Sequence, residues 1–283
     1  MNSSELFKKT VFELKKSGIK SAEIDAQILL EFVSGKSREF LLANPEHKLK
    51  NQEIEALKDL TDRRKLEEPI AYITGHKEFF GLDFEVDKNV LIPRPETELL
   101  AEQALKFIKL KVTGFSSRGL KILDIGTGSG NIVISIANTC NLQLATCNFY
   151  ASDNSAAALE VAKKNAKVRD IKINFIQSDL FENISGKFDL IVANLPYVPI
   201  DGSDDKEIEH EPQSAIFAEN NGAEIIKKFL DESNKYINKD GLVLAELDPR
   251  NANEILEHAA KLYNQVEIIS DFSGQKRLLK IWS

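Results

Sequence analysis

The sequence predicts an α/β fold. A Rossmann-like, mostly parallel sheet of seven strands with an antiparallel last strand follows a small N-terminal helical domain. Three observations carry this. Apolar β-rich runs alternate with helical patterns from Gly119 to the end, which calls for a parallel sheet covered on both faces. Only a short loop holding Gly274 separates the last two runs, too little chain for a helical crossover, so that pair must be antiparallel. Residues 1 to about 70 show only helical spacing.

The first helix carries Leu6, Phe7, Thr10, Val11 and Leu14 on one face and ends at Gly18. Ser21 is a candidate N-cap for a second, whose first turn holds Glu23 and Asp25 at the positive end of the helix dipole. Asn51 opens a further helix that closes on Arg63-Arg64-Lys65, read as partners of its negative end. Residues 71–75 and 78–86, aromatic and β-branched around a Gly turn, predict a hairpin. Pro95 then suits a helix's first turn. Strands are expected at 120–125, 147–152, 172–177, 188–193, 241–247, 266–271 and 277–283. Helices are expected at 129–139, 155–168, 222–237 and 250–263. The domains read as a bundle at 1–70 for recognising a protein substrate, a hairpin linker at 71–94 and a catalytic domain at 95–283.

The 283 residues are 42% hydrophobic and 29% charged, an ordinary globular balance. No apolar run approaches the roughly 20 residues a bilayer span needs. The N-terminus lacks a signal pattern, so the cytoplasm is expected. A net charge of −7 argues against non-specific nucleic-acid binding. Cys140 and Cys147 read as packing residues, and the scattered histidines lack ligand spacing, so no metal is expected.

Two corners carry chemistry. Asp124-Ile125-Gly126-Thr127-Gly128-Ser129-Gly130 lies between a strand and a helix, where glycines let a ligand touch the backbone. Ligands of such sheets bind at the carboxyl ends of the strands. Asp153, ending the next strand, can accept two hydrogen bonds from a ribose diol; its plainer role is to cap a helix. The dinucleotide spacing G-x-G-x-x-G fails here, because the third glycine comes one residue early. Asp179 and Leu180, with Phe181, end the third strand where an adenine would lie; an exposed loop acid beside core residues is the alternative. Asn194-Leu195-Pro196-Tyr197 leaves the fourth strand. An amide nitrogen is a poor nucleophile and needs orientation. The Asn194 side-chain oxygen and the Leu195 carbonyl can grip its two N–H bonds, Pro196 aims that carbonyl, and Tyr197 can lie against the planar group. In this order the corners imply methyl transfer from S-adenosylmethionine to nitrogen.

With these motifs, and with residues 69–75, 91–98, Glu211-Pro212 and Asp271-x-x-Gly274-x-x-Arg277, the chain resembles the release-factor glutamine methyltransferases, the PrmC/HemK family, over nearly its whole length. The resemblance implies a class I methyltransferase sheet and N5-methylation of the glutamine in the Gly-Gly-Gln loop of peptide-chain release factors. It assigns residues 126–130, Asp153, Asp179, Leu180 and Asn194 to the cofactor. It assigns residues 194–197 and Arg94 to the substrate, with Asn194, Pro196 and Tyr197 catalytic and the chain a monomer. Arg94 has the alternative of pairing with Glu96 or Glu98, and 201–211 that of a solvated charge run. Four departures stand out. Leu195 replaces a proline, which predicts a looser corner, and Leu180 replaces a frequent aromatic. Residues 246–250 lack the usual Gly and Gln, and 217–222 is poor in glycine. A DNA adenine-N6 methyltransferase and an inactive binding module with the same fold remain alternatives.

Overall fold

A computed structural model describes residues 1–112, 119–142, 147–199, 206–218 and 222–283. The chain divides into two compact units, Met1–His76 and Lys77–Ser283.

The first unit holds α1 (Ser3–Lys16), α2 (Ala22–Ser34), α3 (Arg38–Ala43), α4 (Asn51–Lys65) and α5 (Ile70–Thr74). Asn2 and Glu5 form a capping box at the head of α1. Leu6, Leu29, Leu30, Leu41, Leu49, Leu57 and Ile73 make its main core. Two sequence readings are corrected here. Residues 70–74 form a helical turn, not a strand: Pro69 starts it, Gly75 ends it at φ 77°, and the Thr74 hydroxyl donates back to the Ile70 carbonyl. Arg64 is buried instead of lying at a solvated helix end. Its Nε donates to Asp25 Oδ2 at 2.7 Å, and the Ser21 hydroxyl donates to the same oxygen, so it makes no cap bond for α2.

The second unit opens with the hairpin β1 (His76–Phe79) and β2 (Leu82–Glu85). A 3₁₀ turn at Pro95–Thr97 runs into α6 (Glu98–Val112). Then come β3 (Leu120–Ile125), α7 (Asn131–Leu142), β4 (Cys147–Asp153), α8 (Ala156–Val168), β5 (Ile173–Gln177) and β6 (Phe188–Ala193). The short β7 (Val198–Pro199), α9 (Gln213–Ile216) and β8 (Phe217–Ala218) follow. The chain closes with α10 (Glu224–Ser233), β9 (Ile237–Glu246), α11 (Ala252–Leu262), β10 (Gln265–Ser270) and β11 (Lys276–Trp282).

The seven-stranded sheet has the order β10-β11-β9-β6-β3-β4-β5. All pairings are parallel except those of β11, which runs against both neighbours. The expected α/β sheet with an antiparallel last strand is present. β3 and β6 are central and buried along most or all of their length, so apart from Lys121, Asp124 and Asp189 their side chains are apolar on both faces. One core joins the hairpin's Phe79 and Phe84 to α6, α7 and one sheet face. The other joins α10 and α11 to the opposite face. Strand order reverses between β3 and β6, and both motif corners leave the sheet there.

Candidate active site

At the end of β3 the Gly126 and Thr127 N–H groups both donate to the Ser152 carbonyl at 2.9 Å, curling the glycine loop over the neighbouring strand. Gly126, Gly128 and Gly130 have φ of 71°, 53° and 80°, the left-handed region that glycine enters without penalty. Asn165 of α8 pins the loop: its Nδ2 donates to the Ser129 and Glu85 carbonyls at 2.9 Å each. The Thr127 hydroxyl donates to Asp124 Oδ2 at 2.7 Å. Burial pushes the Asp124 carboxyl up to about 7, against the pull of Thr127 and the Val133 N–H.

Asp153 accepts from Gly128 N–H through Oδ2 and from Ser155 N–H through Oδ1, both at 2.9 Å. Burial raises its pKa while these bonds oppose the shift. Ser155, not Asp153, caps α8, accepting from Ala158 N–H. After β5, Leu180 is buried at φ 43°, and the Ser178 hydroxyl donates to its carbonyl. Asp179 is half-exposed, with Lys228 Nζ at 3.6 Å. Phe181 departs from its expected place. It is fully buried, with ring centroids 4.6 Å from Tyr236 and 5.6 Å from Phe229, and so belongs to the core.

One cavity is lined by residues from all of these segments: Arg94, Thr97, 126–129, Asp153, 178–180 and 194–196. The glycine loop, Asp153 and the Asp179–Leu180 turn therefore meet the Asn-Leu-Pro corner in one place. Gly130 stands behind, where an added Cβ would come within 2.7 Å of Ile134 Cδ1. Tyr197 is not among the lining residues. Its hydroxyl donates to Glu246 Oε1 at 2.8 Å, and burial raises the phenol pKa. Leu195 is buried, and a Cβ on Gly126 would lie 3.0 Å from its Cδ2, so the side chain seals the corner against the glycine loop. Asn194 Nδ2 donates to the Thr97 hydroxyl at 3.0 Å. That bond leaves the carboxamide oxygen as the free branch of a side chain that lines the cavity.

Arg94 pairs with neither Glu96 nor Glu98. Its Nη2 donates to Glu211 Oε1 at 2.5 Å, and Glu211 Oε2 accepts from Ile92 N–H. Glu98 instead accepts from the Phe80 N–H. Glu211 is buried, so the solvated reading fails at this end of the acidic run; 201–205, like 219–221 of the glycine-poor run, lie outside the described residues. Asn165 was not singled out from the sequence, and Thr97, Glu211 and Glu246 stood there only inside family runs with no role of their own. Each acts through a partner far away in the chain, and a buried Glu at a strand end was the one local signal.

Family comparison agrees with this geometry. The PrmC N-terminal domain family matches residues 5–75, and a methyltransferase domain family matches residues 116–281. The release factor glutamine methyltransferase of Haemophilus influenzae is 34% identical over 293 residues, covering all of this chain and 99% of that protein. The chain belongs to the release factor glutamine methyltransferase family. The bifunctional methyltransferase of Rickettsia bellii is 36% identical over 300 residues, and the chain spans 53% of that longer relative. Among solved structures, a T. thermophilus 16S rRNA methyltransferase in complex with AdoMet and guanosine shares the fold, with a TM-score of 0.52 and 15% identity over 74% of this chain and 49% of that one. The family's Asp-x-x-Gly-x-x-Arg close has a visible purpose here. Asp271 accepts from the Ser273 and Gln275 N–H groups and from Arg277 Nε, which fixes the turn. Those bonds and the Ser273 hydroxyl hold its pKa near 2.

Proposed function

We propose that this chain transfers the methyl group of S-adenosylmethionine to the side-chain amide nitrogen of the glutamine in the Gly-Gly-Gln loop of peptide-chain release factors. The cavity fits that cofactor. The Cβ position of Gly128 meets nothing within 4 Å, leaving the loop backbone open to a ligand. Asp153 lines the cavity with a carboxylate whose two oxygens each accept one backbone N–H at most, which leaves lone pairs for a diol. Residues 126–129, Asp153, Asp179, Leu180 and Asn194 would hold the cofactor, with Gly130 behind them allowing the loop to pack on α7 and α8. When bound, S-adenosylmethionine supplies a methyl group made electrophilic by its sulfonium sulfur.

The chain's own task is then orientation. The Asn194 oxygen and the Leu195 carbonyl accept the two N–H bonds of the glutamine amide, and its nitrogen faces the methyl group. Pro196 holds the Leu195 carbonyl in place, Tyr197 steadies the corner from outside the cavity lining through its bond to Glu246, and Arg94 borders the substrate's path. One observation carries this reading: Thr97 takes the amide end of Asn194, so the acceptor end is left for the cavity. The match of residues 5–75 to the PrmC N-terminal domain supports protein recognition by the helical bundle, with 71–94 as linker and 95–283 as the catalytic domain. A substrate from the translation apparatus supports a cytoplasmic location. Among the described residues, no helix is long and apolar enough to cross a membrane.

The test is incubation with labelled cofactor and purified release factor, followed by mass spectrometry of the loop peptide. Methyl gain on the glutamine is expected. Asn194→Ala should still bind cofactor while its turnover falls about 10²–10³-fold, the scale of losing one transition-state contact. Full turnover by that variant, or label appearing in duplex DNA and not in the release factor, would overturn the proposal.

A further inference from the structure

Behind Asn194 lies a polar chain that no cofactor or substrate contact explains. The Thr97 hydroxyl accepts from Asn194 Nδ2 at 3.0 Å, and Thr97 is almost fully buried. A hydroxyl that accepts this bond still has one proton of its own to place. The neighbouring acceptor is the carboxyl of Glu246, at the end of β9. One of its oxygens, Oε1, is taken by the Tyr197 hydroxyl at 2.8 Å. The other, Oε2, is buried, and no donor meets it in full hydrogen-bond geometry. A buried carboxylate oxygen without a donor carries an uncompensated loss of hydration, so it marks a group kept for a reason.

We propose that Glu246, acting through the Thr97 hydroxyl, fixes which end of the Asn194 carboxamide faces the cavity, and that Thr97 and Glu246 are positioning residues for methyl transfer. The argument counts protons. With Glu246 ionised, its carboxylate can only accept, so it draws the Thr97 proton to its side. Its lone pair then faces Asn194 and can hold only the NH₂ end, which leaves the Asn194 oxygen to receive an N–H from substrate. With Glu246 neutral, its own proton can go to the Thr97 oxygen. The Thr97 proton is then free to turn toward Asn194, and the carboxamide can sit either way round. A flipped Asn194 presents N–H to N–H and cannot grip an amide nitrogen.

Four groups set the charge of Glu246 besides its burial: Thr97 and Tyr197 by hydrogen bonding, and Glu96 and Arg277 by charge. Burial and Glu96 favour the neutral form, whereas Thr97, Tyr197 and Arg277 favour the ionised one. Arg277 is itself held by Asp271 at 3.1 Å, so the last turn of the chain bears on this balance. Together these put the carboxyl at about 7, within the range where a modest pH change switches it.

The inference rests on the reading of Asn194 as an acceptor of the substrate amide, so two independent readouts are needed. The first uses the full-length protein without substrate. The side-chain ¹⁵N–¹H pair of Asn194, assigned by its loss in Asn194→Ala, should shift with pH around a midpoint near 7. That titration should vanish in Glu246→Gln and in Thr97→Val. A flat pH response in the wild-type protein overturns the proposal whether or not the enzyme methylates release factors. The second readout is the pH profile of kcat. The wild type should lose rate as pH falls through about 7. Glu246→Gln should lose roughly 10²-fold in kcat with little change in KM and should show no such limb. Thr97→Ser should recover most of what Thr97→Val loses. A Glu246→Gln profile that keeps the wild-type limb, or a Thr97→Ser variant no better than Thr97→Val, also overturns it. If Asn194 titrates as described and no release factor is methylated, the substrate assignment fails and the coupling of Glu246 to Asn194 stands.

Discussion

Glu246 is held at a cost. Burial raises its carboxyl from 4.5 to about 7, and the pull of Thr97 and of the Tyr197 hydroxyl recovers only part of the loss. A carboxyl whose pKa is higher in the folded than in the unfolded chain binds its proton more tightly when folded. Its contribution to stability is complete below about pH 4.5 and is lost as pH rises through about 7. Asp124 has the same sign, rising from 3.8 to about 7, also through burial. The protein should therefore lose stability between pH 4 and 8 from these two groups. Glu246→Gln should remove one share of that loss, on the order of 3 kcal/mol at pH 8 and near zero at pH 4. Urea unfolding of both proteins at the two pH values measures it, and an equal difference at both would show that Glu246 is not the source. A variant both more stable and less active would show stability given up for orientation.

At the scale of elements, the site exists because separate segments are forced together. Asn165 ties α8 to the glycine loop and to β2, and Glu211 ties the segment ahead of α9 to residues 92–94. Gly222, before α10, lies under the exit of β6. It has φ 81°, and an added Cβ would fall 1.8 Å from the Tyr197 carbonyl oxygen. No side chain can be placed there unless one segment moves. Gly222→Ala should destabilise the protein by more than about 2 kcal/mol, combining steric overlap with left-handed backbone strain. A urea midpoint matching the wild type would show that the two segments are not in contact. The elements themselves were largely legible in advance: the seven strands lie within a few residues of their expected bounds, because buried parallel strands are uninterrupted apolar runs. The miss at 70–74 has a local cause. Tyr72, Ile73 and Thr74 favour strands, but five residues between Pro69 and a left-handed Gly75 have room for one helical turn only.

At the scale of the whole molecule, each unit has its own core. The leucine-rich cluster of the helical unit and the two sheet-face clusters share no residue. Each is thus equipped to fold alone. A fragment spanning 76–283 should unfold cooperatively and bind S-adenosylmethionine, measured by thermal melting and calorimetry. It should methylate release factor poorly if the helical unit recognises the substrate. A fragment that is collapsed without a cooperative transition would show that the sheet unit depends on the first 75 residues.

The sequence by itself determined the order of strands and helices, the antiparallel last strand and the motif corners that line one cavity. Those features are local: a run of apolar residues, a glycine spacing, a loop too short to cross over. Only the tertiary structure decided that Thr97 would take the amide end of Asn194, that Glu246 would stand behind Tyr197, that Glu211 and Arg64 would be buried, and that Phe181 would belong to the core. Such pairings join residues up to 149 positions apart, as between Thr97 and Glu246 (246 − 97 = 149). A side chain's hydrogen-bond partner and its exposure are set by what the fold packs against it, and the chain's own order carries no local mark of either.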